Sequence, residues 1–156
     1  MKTLKTNSKG AFLVLTILLL LITSNAFAQK AKVIDMKGTD ELRFSVENIQ
    51  ATPGQIITVK LSNESKFAAA AMSHNFVLLK PSANAEAFDK ASLKHPANGY
   101  IAPELEGQII AHTGMAAGGE TVEVTFNAPK KPGKYLYICT FPGHFGAGMK
   151  GTLTVK

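Results

Sequence analysis

Four residues of this chain carry donor atoms in a combination that suits one metal ion. Cys139, His144 and Met149 lie on a single stretch, Cys139-Thr-Phe-Pro-Gly-His144-Phe-Gly-Ala-Gly-Met149, with four residues in each interval. Pro142, Gly143, Gly146 and Gly148 allow that stretch to curl back on itself, so three side chains can face one centre. Far upstream, His74 opens an apolar run and can bring a second imidazole from a neighbouring strand. The set is one thiolate, two imidazoles and one thioether.

The softness of these donors favours copper. Thiolate and thioether suit Cu(I), and imidazole suits both copper oxidation states. A trigonal His2Cys set with a long axial Met is the ligand set of blue-copper electron-transfer sites. Zinc sites use Cys, His and carboxylate and rarely a thioether, so zinc enters only as a competitor. Each residue alone has a plainer reading: a buried structural cysteine, a core methionine, a surface or core histidine. Four ligands converging on one known geometry outweigh those readings. His95 and His112 are expected at the surface. Met36, Met72 and Met115 are expected in packing or surface roles.

The start of the chain bears on the fate of the thiol. Lys2, Lys5 and Lys9 precede an apolar run from Ala11 to Ile22, and Ala26-Phe27-Ala28 forms an A-x-A cleavage pattern before Gln29. This is the layout of a secretory signal peptide over residues 1–28; an uncleaved membrane anchor is the alternative. The expected location is the periplasm, with no membrane span once the signal is cut. Removing 28 of the 156 residues leaves 128, enough for one domain with a core. Three of the 17 basic residues go with it and no acid does, so the net charge falls from +6 to +3. No basic run of the nucleic-acid type is visible. The exported space is oxidising, yet the chain has one cysteine and can form no internal disulfide. Cys139 is therefore buried and inert, paired between molecules, or occupied by a metal.

The elements that must position these donors read as strands. Leu42, Phe44 and Val46 alternate with polar residues, and Thr52-Pro53-Gly54-Gln55 forms a turn into a strand over Ile56 to Leu61. His74 to Leu79 reads as a third strand. Ala83 to Leu93 can form a short helix inside a long excursion from Pro81 to Gly107. A short strand over Ile109 to His112 and a flexible loop from Thr113 to Gly119 follow. Val122, Val124 and Phe126 alternate again, Pro132-Gly133 turns the chain into Tyr135 to Cys139, and Gly151 to Val155 closes it. The expectation is an all-β Greek-key sandwich or barrel, mostly antiparallel, with residues 29–40 as an N-terminal segment and 41–156 as the domain.

From Glu41 to Lys156 the chain resembles the azurin–auracyanin branch of the cupredoxins. The resemblance rests on Met72-Ser-His-Asn-Phe-Val-Leu78, Ile110-Ala-His-Thr113, Cys139-Thr-Phe-Pro-Gly-His144 and Met149-Lys-Gly-Thr-Leu153. It implies an eight-stranded, two-sheet sandwich with a helical flap after the His74 strand. It implies that Tyr135 pins the corner before the cysteine. It further implies that the backbone N–H groups of Asn75 and Phe141 point at the Cys139 sulfur, and that the Asn75 side chain bridges the two ligand-bearing loops. The chain departs from azurin in lacking its disulfide and in a His144–Met149 interval one residue longer, like that of auracyanin. Ser73 stands where azurin has the glycine whose carbonyl is a distant fifth contact to copper. Phe76 replaces a core tryptophan.

The function implied is single-electron carriage by one copper, cycling between Cu(I) and Cu(II), in a non-enzymatic monomer. Redox partners such as a cytochrome or a terminal oxidase or reductase would dock transiently near His144, ringed by Met72, Phe141, Pro142, Phe145 and Ala147. A copper carrier or buffer would use the same four ligands but needs exchangeable metal. Methionine-rich or CxxC surfaces of the carrier type are not seen. A copper oxidase or nitrite reductase would place a histidine beside the cysteine, whereas Cys139 is flanked by Ile138 and Thr140. A thiol hydrolase explains His144 less economically.

Overall fold

The computed structural model describes residues 31–156, so the expected signal peptide lies outside the described residues. Among the described residues eight strands form two sheets. β1 (Lys32–Gly38), β3 (Ile56–Asn63) and β6 (Thr121–Asn127) make the first, in the order β1-β3-β6. The second contains β2 (Asn48–Ala51), β4 (Val77–Leu79), β5 (Ile109–His112), β7 (Gly133–Ile138) and β8 (Lys150–Val155), in the order β2-β8-β7-β4-β5. β1 runs parallel to β3 and β2 parallel to β8, while the other pairs are antiparallel. This is the expected two-sheet sandwich, with the mixed pairing confined to its first two strands.

The core follows from strand period. β3 alternates so that Ile57, Val59 and Leu61 point inward, all with no exposed surface. They meet Ile49, Leu78, Tyr137 and Leu153 of the opposite sheet, together with Phe76 just before β4. β4 does not alternate: Val77, Leu78 and Leu79 are all buried. Leu78 faces the sandwich interior, whereas Val77 and Leu79 join a second cluster with Phe88 and Ile138. That outer face is covered by helix α1 (Ala85–Ser92). Full burial of Phe88 alone contributes about 2–3 kcal/mol to holding the helix down. Asn84 caps its start by accepting from the Ala87 N–H at 3.0 Å. Two 3-10 turns, Pro96–Asn98 and Pro103–Gln108, give the long excursion its local structure. The Tyr135 hydroxyl donates to the Lys131 carbonyl at 2.6 Å, locking the corner into β7.

Three expectations change. The segment 29–40 contains β1, whose Ile34 and Met36 enter the main core through parallel pairing with β3. The alternation of Leu42, Phe44 and Val46 is not a strand. The Thr39 N–H donates to the Arg43 carbonyl and the Leu42 N–H to the Thr39 carbonyl, both at 3.0 Å, and Leu42 has a left-handed φ of 58°. Phe44, bridged to Gly38, enters the main core from that turn, with its ring centroid 5.5 Å from that of Tyr137. Finally, His144–Ala147 forms a helical turn, α2, within the expected loop. Among the described residues no helix is long and apolar enough to cross a membrane.

Candidate metal centre

His74 lies just before β4 and is fixed from three directions. Its backbone forms a two-bond bridge with Ala116: His74 N–H to Ala116 O at 3.1 Å, and Ala116 N–H to His74 O at 2.8 Å. Asn63, buried at the end of β3, donates through Nδ2 to the Ala116 carbonyl at 3.0 Å and the Met72 carbonyl at 3.2 Å. The Phe76 N–H donates to the Thr113 hydroxyl at 3.0 Å. The stretch from Thr113 to Gly119, expected to be flexible, is thus tied to His74 through Thr113 and Ala116, both buried. The ring itself rests on Gly38 at the end of β1. A Cβ there would stand 2.5 Å from Cδ2 and 2.6 Å from Cγ of His74, so only glycine admits the ring in this position.

Cys139 follows β7 and is fully buried. Its N–H donates to the Met149 carbonyl at 3.2 Å, and the backbone N–H groups of Asn75 and Phe141 point at its sulfur. Asn75 bridges the two ligand-bearing segments. Its Oδ1 accepts from the Thr140 N–H at 2.8 Å, and its Nδ2 donates to the Thr140 hydroxyl at 2.8 Å. His144 opens α2, with Nδ1 3.6 Å from the Cys139 sulfur and its ring centroid 5.0 Å from that of His74. Met149 is fully buried, belongs to the same core cluster as Cys139, and donates its N–H to the His144 carbonyl at 2.9 Å.

The ligand atoms of His74, Cys139 and His144 all lie within 4.8 Å of one another. Both ring nitrogens of His74 are buried without a hydrogen-bond partner. Leaving such atoms unsatisfied costs about 1–3 kcal/mol each, a cost that a bound metal relieves at the coordinating nitrogen. Burial, and then the neighbouring His74, pushes the His144 pKa down to about 4. Burial also lowers that of His74, with Asp40 opposing. Both rings are therefore neutral and able to donate to a metal at pH 7. Burial pushes the Cys139 thiol up to about 12, against the two N–H groups that favour its thiolate. A cation at this point is what makes a thiolate favourable here. Position, orphaned nitrogens and donor softness together fit copper.

Around His144, Phe141 is 7% exposed and packs at 4.7 Å from its ring, Met72 and Phe145 are half-buried, and Pro142 and Ala147 are exposed. The apolar run before Met72 is also open to solvent, with Phe67 59% exposed and Ala68 to Ala71 exposed. His95 lies 3.6 Å from Glu104, and His112 is exposed beside the Thr113 carbonyl. Sequence reasoning does not single out Gly38, Asn63, Thr113 or Thr140. Their roles depend on contacts between distant segments, and only the polar Asn63 and Thr113 beside apolar strands give any local signal.

Fold and donor set together define a cupredoxin with a site for one type 1 copper. Comparison with known proteins agrees. A family model described as copper binding proteins, plastocyanin/azurin family, matches residues 30–156. The chain belongs to the plastocyanin/azurin family of copper-binding proteins. It is 42% identical over 126 residues to auracyanin-A of Chloroflexus aurantiacus, covering 79% of this chain and 72% of that protein. It is 36% identical over 123 residues to azurin-1 of Alcaligenes xylosoxydans xylosoxydans, covering 77% and 94%. The solved structure of auracyanin A, described as a "blue" copper protein, matches with a TM-score of 0.71 at 39% identity, covering 81% of this chain and 100% of its own. Dithionite-reduced auracyanin from Roseiflexus castenholzii gives a TM-score of 0.71 at 31% identity, covering 80% and 97%.

Proposed function

We propose that this protein is a periplasmic single-electron carrier in which His74, Cys139 and His144 would hold one type 1 copper and Met149 would add a weakly bound thioether ligand. The observation that carries this reading is the buried His74–Cys139–His144 cluster, with ligand atoms within 4.8 Å of one another and both His74 nitrogens unpartnered. Copper in such a set supplies a Cu(I)/Cu(II) couple with strong visible absorption from the thiolate. The chain's own part is to hold the donors still. Gly38 and Ala116 fix His74, Asn75 ties Cys139 to the His74 segment, and α2 fixes His144. A scaffold fixed in this way, independent of the metal, limits rearrangement when the charge at the centre changes.

Burial separates this reading from metal carriage. His74, Cys139 and Met149 have no exposed surface and His144 only 3%, which opposes rapid ligand exchange. Exposed Pro142 and Ala147 with half-buried Met72 and Phe145 suit brief apolar docking of a redox protein near His144. The test is optical and electrochemical. The protein given Cu(II) should turn intensely blue, take up one electron reversibly and keep its copper through repeated cycles. A colourless protein would overturn the electron-carrier reading, and fast copper loss would favour the carrier or buffer.

A further inference from the structure

Arg43 reaches across the fold to the turn between His144 and Met149. Its Nη1 donates to the Ala147 carbonyl at 2.7 Å and to the adjacent Leu42 carbonyl at 2.8 Å. Ala147 is the last residue of α2, where backbone carbonyls lack helical partners and a cation is favoured. The guanidinium also covers Gly148. A Cβ on Gly148 would stand 3.1 Å from Nη1 and 3.3 Å from Cζ and Nη2, and Gly148 has a φ of 105° that favours glycine. The next residue is Met149. Its N–H donates back to the His144 carbonyl, and its carbonyl accepts from the Cys139 N–H.

We propose that Arg43 is a positioning residue for the axial ligand, clamping Ala147 and Gly148 so that the Met149 thioether is presented to the copper at one fixed place. This rests on the reading of Met149 as that ligand. The turn is flanked by two left-handed glycines, Gly143 and Gly148, and is held by its own backbone hydrogen bonds, to which Arg43 adds a side-chain tie from a distant segment. The planar guanidinium of arginine suits this role, because it takes two carbonyls while lying against the glycine. A lysine would keep the charge and one hydrogen bond but lose the cover over Gly148.

The test combines R43Q and R43K with a metal-free readout. In the metal-free protein, amide hydrogen exchange at Met149 should be about tenfold faster in R43Q than in the native chain, and intermediate in R43K. In the Cu(II) protein, R43Q should change the ratio of the visible bands and the rhombicity of the electron spin resonance spectrum, with R43K recovering part of the native signature. Unchanged exchange in R43Q would overturn the clamp. Faster exchange with native spectra would show an anchored turn that does not set the axial ligand, and overturns the proposal as well. A potential that shifts in R43Q but is native in R43K, without spectral change, would mean a charge effect alone and would also overturn it. M149L separates the two readings: if it leaves the copper spectra native, the axial assignment fails and takes the proposal with it. If it alters them while R43Q does not, only the clamp fails.

Discussion

Asn75 and Thr140 hold each other through two reciprocal hydrogen bonds of 2.8 Å, one from the Thr140 N–H to Asn75 Oδ1 and one from Asn75 Nδ2 to the Thr140 hydroxyl. Each residue directly follows a candidate metal-site residue, His74 or Cys139, so this pair ties the two segments together. Asn75→Leu keeps the branched shape but leaves the buried Thr140 N–H unsatisfied. The loss should be about 2–4 kcal/mol, read as a lower urea midpoint with unchanged slope, together with faster copper loss. A variant as stable as the native chain would show that the bridge is dispensable.

Gly38→Ala asks whether β1 takes part in the site. The added methyl would stand 2.5 Å from His74 Cδ2, far inside the roughly 3.5–4.0 Å of ordinary carbon contacts. The ring or the end of β1 must move. We expect a stability loss of about 1–3 kcal/mol and a copper affinity lowered by about tenfold or more. Competition with a chelator measures the second effect. Native affinity would mean that the ring position is set elsewhere.

The sequence shows the candidate donors better than the contacts that hold them in place. Cys139, His144 and Met149 share eleven residues of chain, and their types alone suggest one soft metal. The strands β3, β6 and β8 are visible because their alternation matches a half-buried sheet. β1 is not, because only Ile34 and Met36 mark its inner face and its partner β3 is a parallel strand reached through a long connection. Leu42, Phe44 and Val46 mimic a strand since a turn with Leu42 left-handed also buries Phe44 between more exposed neighbours. Arg43 meets Ala147 from 104 positions away, a contact no local pattern encodes.

Asp89 gives a pH dependence of known sign. Its Oδ1 is buried without a hydrogen-bond partner beside Phe145, near Glu86 and Lys90 of α1 and Lys150 of β8. Burial raises its pKa from 3.8 to about 6. Between those values the folded chain binds more protons than the unfolded one, so this group's contribution to stability falls as pH rises from about 4 to 6 and is level above. Asp89→Asn removes the ionisation while keeping the shape. Its melting temperature should match the native protein near pH 4 and exceed it at pH 7. Equal pH profiles for both proteins would place the carboxyl in water.

Copper uptake should release protons in a pattern set by burial. At pH 7 the empty site holds a Cys139 thiol with a pKa of about 12 and two neutral imidazoles, since His144 ionises at about 4 and His74 is also shifted down. Binding through the thiolate must therefore expel one proton from Cys139 and none from the rings. A weakly buffered titration with a pH indicator should read one proton per Cu(II) around neutral pH. As pH falls toward 4, His144 takes up a proton that copper must then displace, so affinity drops more steeply there. Cys139→Ser should keep the sandwich folded, remove the blue colour and lose that thiol proton from the count. Retained colour would mean that the thiolate is not the source of the absorption. Release of two protons at pH 7 would show that a ring is charged in the empty site, contrary to its burial.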